Sequence, residues 1–177
     1  MPRKALVLLF LCVFTALSLA LAAPLPQKAS QGPVRDQATH LGRGLASFEQ
    51  GFYELLPKGR RAEAETAFGL AARELKLALE AEPLNKEAHR TLARILSLRQ
   101  DHLGAAEHYR RLTEIDPFDL DSYTLAALSL AEAGHFGESR IELEKAKART
   151  TDETSLALLD SYLAKLAEAE RKAGAGK

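Results

Sequence analysis

The sequence predicts an all-α fold, a solenoid of paired helices. The sequence matches itself when Pro83 is aligned with Pro117. The separation between these two prolines is here called the repeat offset. At this offset small residues align with small residues, as Ala93 does with Ala127. A fixed period in the range of about 20–50 residues is typical of solenoid proteins, in which each repeat packs on the next. Apolar residues also recur at the three- and four-residue spacing of one helical face, which favours helix over strand.

Composition excludes several classes of protein. The chain has 177 residues, a length that suits one domain able to bury its own core. Its formal net charge is +0 at pH 7, which argues against nucleic acid as a partner, because nucleic-acid-binding domains normally carry a basic face. Charged residues make up 27% of the chain alongside abundant Leu and Ala, so wholesale disorder is not expected.

Residues 1–22 have the layout of a secretory signal peptide. Arg3 and Lys4 precede an uncharged apolar run over residues 5–19, and Ala20-Leu21-Ala22 supplies an Ala-x-Ala cleavage site. The sequence therefore predicts export, to the periplasm or beyond the cell. The alternative is an uncleaved inner-membrane anchor, since the apolar stretch is close to the roughly 20 residues that span a bilayer.

Cleavage after residue 22 would leave a domain without cysteine. Cys12 is the only cysteine and would leave with the signal, so the mature chain could form neither disulfides nor a thiolate metal site. Residues 23–35 are rich in proline and predict a disordered tether, and residues 173–177 predict a disordered tail. The folded domain is expected over residues 36–172.

Each repeat divides into two predicted helices. Asn85, Asp101 and Asp119 precede segments of helical periodicity, where a side-chain oxygen can accept from the exposed amides of the first turn. Gly134 permits a tight reversal between two helices. His89 occupies a position where a packing aromatic is expected, so we predict a partly buried structural role for it.

These residues resemble the tetratricopeptide repeat (TPR) family. Two adjacent units match the pattern of that family, with Thr151 in place of the second proline. The matching positions are Leu92, Ala93, Leu96, Ala105, Tyr109 and Pro117 in one unit, and Tyr123, Ala127, Leu130, Gly134, Ser139 and Ala146 in the next. The resemblance implies a right-handed helical-hairpin solenoid of about three units, at about 45–85, 86–119 and 120–153, with a capping helix at 154–172.

The first unit departs from this pattern. Counting it from Pro83 or from the Gly59 turn gives starting points seven residues apart, which is about two helical turns. We therefore predict an elongated second helix over residues 60–81. The first helix carries an apolar stripe at Leu41, Leu45, Phe48, Phe52 and Leu55.

No catalytic residues, metal site or cofactor are predicted. His102 and His108 lie six residues apart and would point to different faces of a helix, whereas metal ligands need one face or a rigid loop. Glu142 and Glu144 lie among Lys and Arg, as expected for a solvated helix surface. The chain also lacks the Gly-x-Ser-x-Gly elbow of serine hydrolases, so we do not expect an enzyme or a small-molecule substrate.

The TPR resemblance implies a concave groove lined by the first helix of each unit. Arg90 and Arg94 lie one turn apart there, so both guanidinium groups are expected to face one spot, where they could hold a carboxylate of a partner peptide. The alternative is that both are solvated, with Glu87 as a salt-bridge partner. The groove residues carried over from the family are Glu49, Tyr53, Glu87, Arg90, Arg94, Ser97, Asp121 and Thr124.

The TPR resemblance, together with the signal peptide, thus implies a non-enzymatic adaptor or scaffold of the bacterial envelope that binds a protein or peptide partner in its groove. Contact with a membrane is expected only if the N-terminal segment stays uncleaved. The alternative is a self-associating structural subunit of an envelope assembly or secretion complex. The polar outer face of the last helix argues against end-to-end growth. The oligomeric state and the partner stay open.

Overall fold

A computed structural model describes residues 39–175, and this part of the chain folds into seven helices without strands. The predicted all-α class is therefore confirmed. The predicted signal peptide and tether lie outside the described residues. Within them, no helix is both long enough and apolar enough to cross a membrane. The helices are α1 His40–Glu49, α2 Arg61–Ala81, α3 Lys86–Leu98, α4 His102–Ile115, α5 Leu120–Glu132, α6 Phe136–Lys147 and α7 Glu153–Ala175.

Each helix packs mainly on its neighbours in the sequence, and α1 also contacts α3. Gly44 lies against Leu75, and Gly51, in the π-helical segment Gln50–Leu55 that continues α1, lies against Phe68, so α1 and its continuation run antiparallel to α2. A Cβ atom would lie 2.8 Å from Leu75 Cγ at the first glycine and 2.7 Å from Phe68 Cε1 at the second. These distances are shorter than a carbon contact allows, so the two helices need glycine at both positions.

Side-chain caps begin the helices where the sequence predicts them. Asn85, Asp101 and Asp119 each accept a hydrogen bond from the backbone amide three residues further on, at 3.0, 3.0 and 3.3 Å. All three predicted N-caps are confirmed. Thr39 caps α1 in the same way at 3.0 Å, a cap that the sequence did not predict.

Three described residues adopt a left-handed backbone conformation, and each follows a helix. They are Gly59, Gln100 and Gly134, with φ of 71°, 63° and 81°. The reversal predicted at Gly134 is therefore confirmed. Gln100 and Gly134 are separated by one repeat offset, whereas Gly59 precedes Gln100 by that offset and seven residues more. The seven extra residues lie in α2, which has 21 residues against 14 in α4.

Replacing Gln100 with glycine is expected to raise the free energy of unfolding by about 0.5–1 kcal/mol. The left-handed conformation costs a residue with a Cβ roughly 1–2 kcal/mol, and the greater freedom of glycine in the unfolded chain offsets part of that gain. Urea denaturation checks this. The reverse change at the equivalent turn, Gly134→Gln, should lower the free energy of unfolding, and an unchanged or lower value for Gln100→Gly would contradict the prediction.

The core is built from small and large residues at the positions that the repeat predicts. Ala93, Ala105, Ala127 and Ser139 are at most 1% exposed. The Ser139 hydroxyl donates to the Ala127 carbonyl oxygen at 2.7 Å, which requires α5 and α6 to cross closely. Tyr109, one of the matching positions of the repeat, is also buried. A larger side chain at the small positions would force the helices apart, at a typical cost of about 1–3 kcal/mol.

Glu142 does not lie on a solvated surface, so that prediction is wrong. Its side chain is only 1% exposed, whereas Glu144 is exposed as expected. Arg110 reaches across from α4, and its Nε donates to Glu142 Oε1 at 2.9 Å. Lys145 donates to the same oxygen at 3.1 Å. The two cations offset much of the cost of burying the carboxylate.

The C-terminal helix is longer than predicted. It begins at Glu153 and runs to Ala175, so the boundary predicted between a capping helix and a disordered tail at residue 173 is wrong, while residues 176–177 lie outside the described part. Among the described side chains of α7, Leu159 and Leu166 are buried, and they face α6. Most of the helix surface therefore stays exposed.

Candidate functional site

An open cavity of about 330 Å³, here called the groove cavity, lies between α3, α4, α5 and the C-terminal continuation of α1. Helix α1 continues without a break into a π-helical segment, Gln50–Leu55, which supplies Phe52 to the lining. The lining also includes leucine side chains that are 36–44% exposed. These are Leu98, Leu125 and Leu128.

Arg94 is held at the groove cavity by aromatic rings. Its guanidinium carbon lies 4.8 Å from the ring centroid of Phe48 and 5.2 Å from that of Phe52. The two rings are stacked, with centroids 5.5 Å apart and an interplanar angle of 18°. A guanidinium over aromatic faces is attracted by their electrons, yet the rings use none of its N–H donors as a carboxylate would. Among the described residues, Arg94 makes no ion pair.

Arg90 does not join Arg94, so the predicted pair facing one spot is wrong. Its Nη2 donates to Asp119 Oδ2 at 2.8 Å. That carboxylate also caps α5 and accepts from the Ser122 hydroxyl at 2.7 Å. Arg90 therefore links α3 to the start of α5, because the Asp119 carboxylate is within its reach. Arg94 lies one turn further along α3, closer to the rings of Phe48 and Phe52.

Two polar groups complete the part of the groove cavity near Arg94. Ser97 and Tyr109 both line it. Burial raises the pKa of the Tyr109 phenol, and the opposing effects of the Ser97 hydroxyl and of the charges on Arg94 and Arg90 are smaller. At neutral pH the phenol is therefore un-ionised and can act as hydrogen-bond donor and acceptor.

The other predicted groove residues lie outside the groove cavity. Tyr53 is 62% exposed, and its ring meets that of Phe52 edge-on, with centroids 5.0 Å apart. The Thr124 hydroxyl donates to the Leu120 carbonyl of its own helix at 3.0 Å. Three further predicted positions are exposed acidic residues that do not line the cavity, Glu49, Glu87 and Asp121.

A second cavity, here called the cap cavity, has a volume of about 340 Å³ and lies between α5, α6 and α7. Leu128 lines both cavities, so the two are neighbours. From α7 come Tyr162 and Lys165, whose Nζ lies 5.7 Å from the tyrosine ring centroid. The rest of the lining is almost entirely alanine and leucine.

The sequence contained a signal for the cap cavity that our prediction did not use. Leu128 follows Arg94 by one repeat offset, and Tyr162 follows Leu128 by another. Lys165 lies two repeat offsets after Ser97. Extending the repeat into the last helix would therefore have identified both α7 residues. No comparable signal identifies the other two exposed leucines, Leu98 and Leu125, because buried leucines have the same helical spacing.

Within the described residues, no group of three or more His, Cys, Asp or Glu side chains is arranged to hold a metal ion. Comparison with known proteins adds no assignment to this geometry. No protein-family model matches the chain, and no curated protein matches it.

Proposed function

We propose that this chain is a TPR-type binding module, a non-enzymatic adaptor that holds an extended segment of a partner protein along the odd-numbered helices. Equivalences at the repeat offset support the repeat assignment, because residues related by it share backbone conformation, as at Gln100 and Gly134, or burial, as at Ala93 and Ala127. Helices that pack on their sequence neighbours support a solenoid.

One observation carries the proposal for binding, namely the position of Arg94. A cation held by two rings, without an ion pair among the described residues, borders a cavity with exposed leucines. Such a site favours a ligand with a carboxylate next to a large apolar side chain. The cap cavity extends the apolar surface, and Lys165 adds a second cation to its lining. The ligand we infer is an acidic peptide segment with apolar side chains.

The signal-like residues 1–22 support an exported location for this adaptor, in the periplasm or outside the cell. Retention of that segment would instead anchor the protein at the inner membrane.

One observation favours the alternative of a self-associating subunit. Leu84 and Phe118 are 74% and 75% exposed, and each directly follows one of the two prolines that define the repeat offset. Two large apolar side chains at successive turns form an edge that a second copy could cover. Light scattering across a range of protein concentrations distinguishes the two functions, because the adaptor is expected to keep a monomer mass.

The partner can be identified with a photo-crosslinking amino acid at Leu125, which lines the groove cavity and is partly exposed. We expect one foreign protein to crosslink in cells, and no such adduct from the same probe at Leu103, an exposed leucine of α4 that does not line the cavity. Adducts of the chain only with itself would favour self-association. Equal adducts from both positions would contradict binding at the groove cavity.

Arg94→Glu is expected to weaken binding of a synthetic peptide from that partner at least tenfold, a loss of about 1.4 kcal/mol in calorimetry. The reversed charge repels the carboxylate, and Arg94→Lys should give a smaller loss because lysine lacks the two-pronged donor geometry. The control is Arg73→Glu, the same charge change at an exposed position of α2 outside the groove cavity. Unchanged affinity in Arg94→Glu, with helicity preserved in all variants, would rule out the proposed role of Arg94.

A further inference from the structure

His89 and His108 form a hydrogen-bonded pair between α3 and α4. Their Nδ1 atoms are 2.9 Å apart, and their ring centroids are 5.1 Å apart. His89 is only 7% exposed, which confirms its predicted buried role. Its Nε2 atom lies 3.0 Å from the carbonyl oxygen of Pro83. The pair therefore joins α3, α4 and the turn that precedes α3.

The contacts fix which nitrogen of each ring carries a hydrogen. A carbonyl oxygen can only accept, so His89 donates from Nε2 to Pro83. Neutral His89 then has no hydrogen on Nδ1, and that atom must accept. The hydrogen in the short contact between the rings therefore belongs to His108, which donates from Nδ1.

The hydrogen bond between the two rings is compatible with one additional hydrogen on the pair but not with two. The first can enter at Nε2 of His108, which the pair leaves free. A second, on Nδ1 of His89, would place two N–H groups and two positive charges face to face and break the hydrogen bond. The positive charges of Lys76 on α2 and Arg111 on α4 also lower the pKa of His108, whereas the carboxylate of Glu107 raises it.

We propose that the His89–His108 pair is a pH-sensitive latch, which holds α3 against α4 and the preceding turn at neutral pH and releases them in mild acid, where hydrogen on both Nδ1 atoms would break the bond between the rings. The latch shares its two helices with residues of the groove cavity. His108 directly precedes Tyr109, which lines the groove cavity, and His89 lies on α3, the helix that carries Arg94. Release therefore loosens the two helices on which the binding residues lie.

The sign of the pH effect follows from the histidine environment. Burial, followed by the charge on His89, lowers the pKa of His108 below the ordinary value of 6.5. A histidine in the unfolded chain takes up a proton as the pH falls through 6.5, whereas His108 in the folded protein takes it up only at lower pH. The free energy of unfolding therefore decreases as the pH falls below 6.5. The carboxyl groups of Glu74 and Asp116 have ordinary pKa values of 4.5 and 3.8, and both are lowered in the folded protein. Their contribution to the free energy of unfolding is therefore lost at a lower pH than that of His108.

The test compares the equilibrium constant for unfolding at pH 7.5 and pH 5.5. In the unmodified protein we expect this constant to rise by up to about tenfold more than in His89→Phe/His108→Leu, because pH 5.5 lies one unit below 6.5, the ordinary histidine pKa at which the unfolded chain takes up its proton. Phenylalanine replaces His89 because an aromatic residue suits that packing position. The control is His102→Gln, a histidine of α4 outside the pair, which should behave as the unmodified protein does. Equal pH dependence in the unmodified protein and the double variant would overturn the proposal.

A spectroscopic measurement tests the latch without any substitution. Long-range ¹H–¹⁵N NMR correlations at pH 7.5 report which nitrogen of each imidazole carries hydrogen. We expect hydrogen on Nε2 in His89 and on Nδ1 in His108. Hydrogen on Nε2 in both rings would mean that the hydrogen bond between them does not form, and would overturn the proposal even if the double variant failed to fold.

Discussion

Replacing Leu92 with alanine is expected to lower the free energy of unfolding by about 2–5 kcal/mol. The side chain is fully buried in a cluster with Leu45 of α1 and Leu75 of α2, so it joins the first helical pair to the helix that follows it. Truncation removes apolar contacts and leaves a cavity that three packed helices cannot close. Urea denaturation followed by circular dichroism measures the loss.

The matched control is Leu84→Ala, because Leu84 lies eight residues earlier and is 74% exposed. We expect this exposed leucine to change the free energy of unfolding by less than about 0.5 kcal/mol. If Leu92→Ala also loses less than about 0.5 kcal/mol, the range of an ordinary surface substitution, the repeat register that places Leu92 in the core is wrong.

Much of the helical framework is predictable because it depends on nearby residues or on the repeat. A cap such as Asp101 needs only a side-chain oxygen before a helix, and its partner is three residues away. The length of α2 follows from two residues, Gly59 and Pro83. A repeat unit counted from Gly59 and one counted from Pro83 begin at different residues, and the difference equals the extra length of α2. Small residues such as Ala93 and Ala105 recur at a fixed offset, which identifies close helix crossings without any knowledge of the contacts.

The site is less predictable because its side chains are placed by residues far away in the sequence. Arg94 takes its position from Phe48 and Phe52, which lie much earlier in the chain and on a different helix. The repeat pattern indicates that these rings are apolar, but not that a guanidinium lies over them. Glu142 is a similar case, because the burial of its carboxylate depends on Arg110 of α4. Sequence periodicity describes one face of one helix, whereas these contacts join faces of two.

Replacing Arg110 with methionine is expected to destabilise the protein by about 3 kcal/mol, because it leaves a buried carboxylate with one fewer cation. Glu142 is 1% exposed, and its Oε2 already has no hydrogen-bond partner among the described residues. After the change, Lys145 at 3.1 Å would be the one cation among the described residues that still pairs with Glu142. Methionine keeps much of the volume of the arginine stem, so the loss measured by urea denaturation reports the charge rather than a cavity.

Removing the carboxylate of Glu142 instead of the Arg110 cation should lower the free energy of unfolding far less. In Glu142→Leu the guanidinium of Arg110 is about one-third exposed and still pairs with Glu138 at 3.0 Å, so no buried charge is left without a partner. The double variant Arg110→Met/Glu142→Leu should therefore recover most of the stability lost in Arg110→Met. Removing both members of a buried ion pair is often neutral, whereas removing one leaves the other desolvated.

Arg111 provides the matched control, since it is the next residue and pairs with Glu114 at 2.7 Å, with both side chains more than half exposed. Arg111→Met should cost less than about 1 kcal/mol, because solvent screens an exposed pair. If Arg110→Met costs no more than Arg111→Met, Lys145 alone compensates the buried carboxylate. If Arg110→Met costs more and the double variant recovers the loss, the bond between α4 and α6 is what makes burial of Glu142 tolerable.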